Sequence, residues 1–237
     1  MELQVVQQNL FGAEAFDHPR RISAFIAFLH HTRPHVVTLQ ELLPWSVRAL
    51  LGSPSLRKLY PHVRSDLLAD SPWTYVLTSL PRLRRDRIEG MNGGLDLSLI
   101  NVSGRALAVG SVHLSPADCP SSETQPLKRH APCPGGVKRA DELKEALHYL
   151  STWAKADHRL LLGDFNFGDS PHLFPAEQTV LAEQRAKYVD AWLVANHSMP
   201  GYTWDNRYAS HTIGHIPARR ASPQPRQLVG ARAGGTG

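Results

Sequence analysis

Cysteine is almost absent from this chain of 237 residues: Cys119 and Cys133 are the only two. Both fall in one Pro/Ser-rich stretch, which excludes the dense disulfide framework that staples small secreted domains. Free thiols are the simpler account, because a zinc site using the nearby His130 would need further ligands at recognisable spacing. Also missing is any apolar run of membrane-spanning length, and the first residues read at once as a strand with no signal-peptide architecture. A soluble, intracellular protein is expected. Acidic residues stop at Asp205, and Arg219, Arg220, Arg226 and Arg232 of the tail supply four charges of a formal net of +5. The body of the chain is therefore nearly neutral, and basicity alone says little about partners.

What remains suffices for one sizeable core, with 42% hydrophobic residues. A single domain is expected over residues 1–208. Residues 209–237 form a basic Ala/Arg/Gly/Pro-rich tail without periodicity, expected to be disordered.

Within the domain, strand-like and helical patterns alternate. Strands are expected at residues 3–10, 35–40, 59–65, 73–80, 95–102 and 105–114, with the last two joined as a hairpin at Ser103-Gly104. Helices are expected at 19–33, where Ile22, Phe25, Ile26 and Leu29 recur at helical spacing, at 45–51, at 137–156 and at 172–187. Residues 115–136 read as a long loop. The glycine-rich run at 90–94 precedes a strand rather than a helix, so it reads as a turn and not as a phosphate-binding loop.

The most telling segment is Leu160-Leu161-Leu162-Gly163-Asp164-Phe165-Asn166. In a strand, residues two apart share a face, so Leu160 and Leu162 face a core while Asp164 and Asn166 emerge beyond it. A carboxylate and an amide held together at a strand end suit phosphate chemistry. Glu41 likewise closes an apolar run, on the face of Val37 and Leu39, and suits Mg²⁺, which is held by one or two carboxylates plus waters and phosphate oxygens. A glutamate that opens a helix near Pro44 is the competing account. Asn9 ends a strand on the Val5 and Gln7 face, and His113 ends another on the Leu107 and Val109 face. Singly, these are a turn residue and a core or surface histidine. Together, five polar residues each lie at the C-terminal end of an apolar strand, and neighbouring strands would bring them into one cleft.

The ordered set Gln8-Asn9-Leu10, Leu39-Gln40-Glu41, Ser111-Val112-His113-Leu114 and Gly163-Asp164-Phe165-Asn166 resembles the endonuclease/exonuclease/phosphatase superfamily, the DNase I-like proteins. Val102-Ser103-Gly104 and Tyr202-Thr203-Trp204-Asp205 resemble more closely the 5′-tyrosyl-DNA phosphodiesterases of that superfamily. The resemblance implies an α/β fold of the α+β kind, a four-layer αββα sandwich with one metal-dependent site at an end of the paired sheets. It implies that Glu41 binds Mg²⁺, with Mn²⁺ as a substitute, and that Asn9 positions the metal, water and phosphate network. Asp164 would orient or deprotonate the attacking water, Asn166 would donate to the reacting phosphate, and His113 would support it. Trp204 would stack on a base or cover a tyrosyl group, or serve as a core-edge tryptophan. The partner would be a DNA 5′ end carrying a tyrosyl adduct, and a DNA-repair role would imply nuclear residence.

The family continues after its Tyr-Thr-Trp segment with an Arg-x-Asp-x-Ile strand and a final Ser-Asp-His. Neither follows here, where Ser210-His211 lacks the intervening aspartate. The C-terminal strands are thus expected to be incomplete and catalysis impaired, because losing one such donor typically costs about 10²-fold to 10³-fold in rate. The same fold also serves small phosphodiesters, phospholipid head groups and RNA ends. A catalytically dead member that binds nucleic acid or protein is a third reading.

Overall fold

Apolar runs punctuated by proline and glycine divide the chain into short elements. The computed structural model describes residues 2–10, 18–62, 73–116, 135–167, 174–191 and 194, together with the backbone of 231–232. Among the described residues the strands are β1 (Val5–Asn9), β2 (Val36–Gln40), β3 (Thr74–Thr78), β4 (Arg82–Ile88), β5 (Leu95–Val102), β6 (Arg105–His113), β7 (His158–Asp164) and β8 (Ala231–Arg232). The helices are α1 (His18–Thr32), α2 (Pro44–Gly52), α3 (Pro54–Leu59), α4 (Gly136–Thr152) and α5 (Pro175–Glu183).

Two sheets result, one ordered β1-β2-β3 and the other β4-β5-β6-β7-β8. β1 runs parallel to β2 and β6 parallel to β7, so the C-terminal ends of each pair leave their sheet at the same side. Ser103 and Gly104 both have positive φ (52° and 86°), the backbone that a two-residue turn matched to sheet twist requires, and β5 and β6 pair antiparallel on either side of it.

Three apolar clusters separate four layers. Ile22, Phe25 and Leu29 of α1, with Val47 and Leu50 of α2 and Leu56 of α3, cover Val37, Leu39, Tyr75 and Leu77 on the outer face of the first sheet. Val36 and Val76 of that sheet meet Ile100, Leu107, Val109, Leu160 and Leu162 of the second across the interior. On the far side, Leu143, Ala146, Leu147 and Leu150 of α4 and Val180 of α5 cover Leu95, Leu97, Ala108, Val112 and Leu161. This is the expected αββα sandwich, and each fully buried Leu or Ile in it contributes about 1.5–3 kcal/mol.

The β3 edge facing away from β2 is closed by charge. Val76 donates its N–H to Asp96 Oδ2 of β5 (2.7 Å) and accepts from the Arg82 guanidinium through its carbonyl. Asp96 Oδ1 is paired with Arg85 Nε at 2.8 Å, and Arg85 lies over the Tyr75 ring. Burial pushes the Asp96 carboxyl up, against the pull of Arg85 and of the Val76 N–H, and burial also lowers the Arg82 guanidinium. An open strand edge is thereby blocked inside the sandwich.

The strand expected at 59–65 is not formed over its described part: Leu59 closes α3. Pro54 at the first helical position and Ser53, whose Oγ accepts from Leu56 N at 3.4 Å, start a helix there that buries Leu56. β4 had no counterpart in the sequence reading, because five of its seven residues are charged and no apolar alternation marks it. Its strand form comes from pairing with β5 and from the Arg85–Asp96 contact. Among the described residues, the helix expected at 172–187 is formed over Pro175–Glu183. Of the tail, the described part is β8, which pairs antiparallel with His158 and Arg159 of β7; the remainder, with Cys119 and Cys133, lies outside the described residues.

Candidate active site

Three strands point a column of alternate residues into the gap between the sheets, and each column ends in a polar side chain. On β1 the column is Val5, Gln7 and Asn9; on β6 it is Leu107, Val109, Ser111 and His113; on β7 it is Leu160, Leu162 and Asp164. The parallel β6–β7 register sets His113 directly beside Asp164. Beneath them Gln40 spans the gap, accepting from Gln7 Nε2 and donating through Nε2 to Ser111 Oγ at 3.0 Å.

At the rim, Asn9 Nδ2 donates to Glu41 Oε1 at 2.7 Å and to Asp164 Oδ2 at 2.8 Å. Ligand atoms of Glu41, His113 and Asp164 all lie within 4.8 Å of one another. Asn166 Nδ2 donates to the Leu114 carbonyl at 2.8 Å and stands 3.1 Å from His113 Nε2. The donor and acceptor roles in this contact depend on the histidine tautomer. His113 Nε2 is also 3.7 Å from Glu41 Oε1, and Trp73, half-exposed, stacks on the imidazole with ring centroids 6.2 Å apart. Sequence reasoning brought together Asn9, Glu41, His113, Asp164 and Asn166, and the structure places all five here. Trp204 lies outside the described residues.

Two of the five arrive by a different route from the one expected. β7 ends at Asp164, Phe165 turns into the helix-side core, and Asn166 takes a left-handed φ of 52° with its N–H on Asp164 Oδ1 at 2.9 Å. The pair is held by an aspartate-anchored turn and not by strand periodicity. Similarly, a continued β2 would send Glu41 to the face of Val37 and Leu39, which α1, α2 and α3 cover. The strand instead ends at Gln40, and a φ of 56° at Glu41 returns its carboxylate to the gap. Left-handed backbone in a non-glycine residue is costly, by roughly 1–3 kcal/mol, and concentrates at functional sites. Gln40, Ser111 and Trp73 were missed; the available signal was a glutamine within the apolar run before Glu41 and a serine two residues before His113.

Two carboxylates and an imidazole form a donor set rich in hard oxygen, which suits Mg²⁺ or Mn²⁺. No family model matches the sequence, and no curated protein matches it. Solved structures do match the fold over nearly the whole chain. TDP2 from D. rerio complexed with single-strand DNA product superposes with a TM-score of 0.68 at 19% identity, covering 97% of this chain and 83% of that one. The chain has the DNase I-like fold. Other structures sharing it include TDP2 from C. elegans (TM-score 0.70, 14% identity, 97% of this chain and 64% of that one). Sphingomyelinase C from Streptomyces griseocarneus also shares it (TM-score 0.59, 15% identity, 98% and 84%). In this fold the polar cluster stands where the paired sheets release the ends of β1, β2, β6 and β7.

Proposed function

We propose that this chain is a divalent-metal-dependent phosphodiesterase acting on a 5′-tyrosyl-DNA end. One observation carries the reading: Asn9 bridges Glu41 and Asp164 across the two sheets, beside the Asn166–His113 pair. Such a constellation supplies what phosphoryl transfer asks of a protein, positioned charge and hydrogen-bond donors. Glu41 and Asp164 would hold the cation, Mg²⁺ or Mn²⁺, with His113 at its margin. When bound, it would polarise the phosphate and neutralise charge developing on its oxygens.

Asp164 is placed to accept a proton from a water attacking phosphorus, because its two oxygens are fixed by Asn9 and by the Asn166 N–H. Asn166 keeps one Nδ2 hydrogen on Leu114 and can turn the other from His113 to a phosphate oxygen. Attack forms a phosphorus–oxygen bond, the tyrosyl ester bond breaks, and the products are a 5′-phosphate and a phenol. Support for DNA as substrate is the single-strand DNA product held by the D. rerio neighbour. A phospholipid head-group ester is the competing substrate, since sphingomyelinase C shares the fold.

The test is Mg²⁺-dependent cleavage of a 5′-phosphotyrosyl oligonucleotide, with Asp164→Asn alongside and sphingomyelin as a parallel substrate. Loss of cleavage in EDTA and in Asp164→Asn supports the reading. Equal cleavage by both proteins, or cleavage that survives EDTA, overturns it.

A further inference from the structure

Glu142 lies on α4, one layer away from the site, and is 5% exposed. A carboxylate so buried needs several donors, and here they come from two loops that border the site. Oε2 accepts from the Ser115 N–H at 2.7 Å, while Oε1 accepts from Ser115 Oγ at 2.7 Å and from the Asn92 N–H at 3.3 Å. The exposed Lys138 ammonium stands 3.9 Å away. One side chain therefore fastens the segment leaving β6 to the glycine-rich turn that joins β4 to β5.

The two loops meet again at one atom. The Leu114 carbonyl accepts from Asn92 Nδ2 at 3.4 Å and from Asn166 Nδ2 at 2.8 Å, and the Leu114 N–H is held on the Asp164 carbonyl at 2.9 Å. Asn166 has a left-handed backbone, so its orientation depends on these external bonds. We infer that Glu142 is a positioning residue for the reaction: through Ser115 and Asn92 it fixes the Leu114 carbonyl, which aims the Asn166 amide at the phosphate. This rests on the phosphodiesterase reading for its catalytic meaning, while the mechanical coupling stands on the hydrogen bonds alone.

The test has two arms. In the first, the Asn166 side-chain amide signals are located in a ¹⁵N–¹H spectrum by their loss in Asn166→Asp, and their hydrogen exchange is followed in Glu142→Ala. Faster exchange and a shifted signal in a folded Glu142→Ala protein are expected; unchanged signals overturn the inference whether or not the protein has activity. Asn92→Ala, which removes the Nδ2 bond to Leu114 from a half-buried turn residue, replaces Glu142→Ala if that variant does not fold, with the same two outcomes.

In the second arm, kcat and KM are measured on the phosphotyrosyl oligonucleotide. Glu142→Ala is expected to lower kcat by about 10-fold to 10²-fold with little change in KM, as misplacement of a reacting group does. Glu142→Ala/Asn166→Ala is expected to be no slower than Asn166→Ala alone. Losses that multiply overturn the coupling, whereas a wild-type chain without cleavage overturns the phosphodiesterase reading and leaves the first arm to decide on Glu142.

Discussion

Asn9 and Asp164 are 155 residues apart in the chain and 2.8 Å apart in space, the side-chain amide of one donating to Oδ2 of the other. The bond fastens the end of β1 in one sheet to the end of β7 in the other. The same nitrogen also serves Glu41, so two carboxylates share a single donor group. It stands between two carboxylates whose oxygens lie within 4.8 Å of each other, and so offsets the repulsion of like charges.

That arrangement predicts a linkage between cation and stability. A ligand that binds only the folded state stabilises by about 2.7 kcal/mol at a hundred times its Kd. Wild-type Tm should rise on addition of Mg²⁺ and fall back in EDTA. Asn9→Ala should melt earlier than wild type in EDTA and gain more from Mg²⁺, while Glu41→Gln should gain less. Melting curves that ignore Mg²⁺ in all three proteins would remove the cation from this site.

Gly163→Ala is predicted to be severely destabilising. Gly163 has a φ of 151°, and a Cβ there would lie 1.9 Å from the Val112 carbonyl oxygen in the adjoining strand. No side-chain rotation relieves a clash with backbone, so β6 and β7 must separate next to His113 and Asp164. A loss of at least about 3 kcal/mol is expected in urea unfolding; a loss under about 1 kcal/mol would contradict the geometry.

The position of Gly163 also shows how far the sequence could be read. Asn9, His113 and Asp164 were legible because strand alternation is a property of local sequence, and each continues a column of inward residues. Glu41 and Asn166 were placed in the right cluster for an incomplete reason: their left-handed backbones break the alternation, and nothing in neighbouring residues announces a positive φ in Glu or Asn. β4 was illegible because its stability lies in partners on β3 and β5, and Glu142 because its three donors come from residues 92 and 115.

Tyr60 gives a prediction at alkaline pH. Its ring is buried, its hydroxyl donates to the Pro34 carbonyl at 3.1 Å, and burial pushes its pKa up from 10.0 to about 12. The native state thus favours the neutral phenol. Stability from this group is complete below pH 10 and is lost as pH rises through 12, by up to about 2.7 kcal/mol at 1.36 kcal/mol per pH unit. Urea titrations of wild type and Tyr60→Phe at pH 8 and pH 11.5 should show the wild type losing about 2 kcal/mol more than the variant across that interval. Parallel losses in both would place the ionisation elsewhere.

The Arg139–Glu177 pair between α4 and α5 allows the sharpest energetic test. Both side chains are wholly buried, with Glu177 Oε1 2.7 Å from Arg139 NH2 and 2.8 Å from Nε. The Arg139 guanidinium also faces the Phe174 ring at 5.8 Å. Yet Glu177 Oε2 and Arg139 NH1 have no hydrogen-bond partner among the described residues, so desolvation of the two charges is only partly offset. Removing one charge strands the other: Arg139→Met and Glu177→Leu should each cost about 3–5 kcal/mol. Removing both eliminates two desolvation penalties while keeping the volume filled, so the double variant should recover to near wild type or above it, by as much as about 1–4 kcal/mol in comparable cases. Additive losses in the four-protein cycle would instead show that each residue stabilises α4 and α5 independently, through packing rather than through its partner.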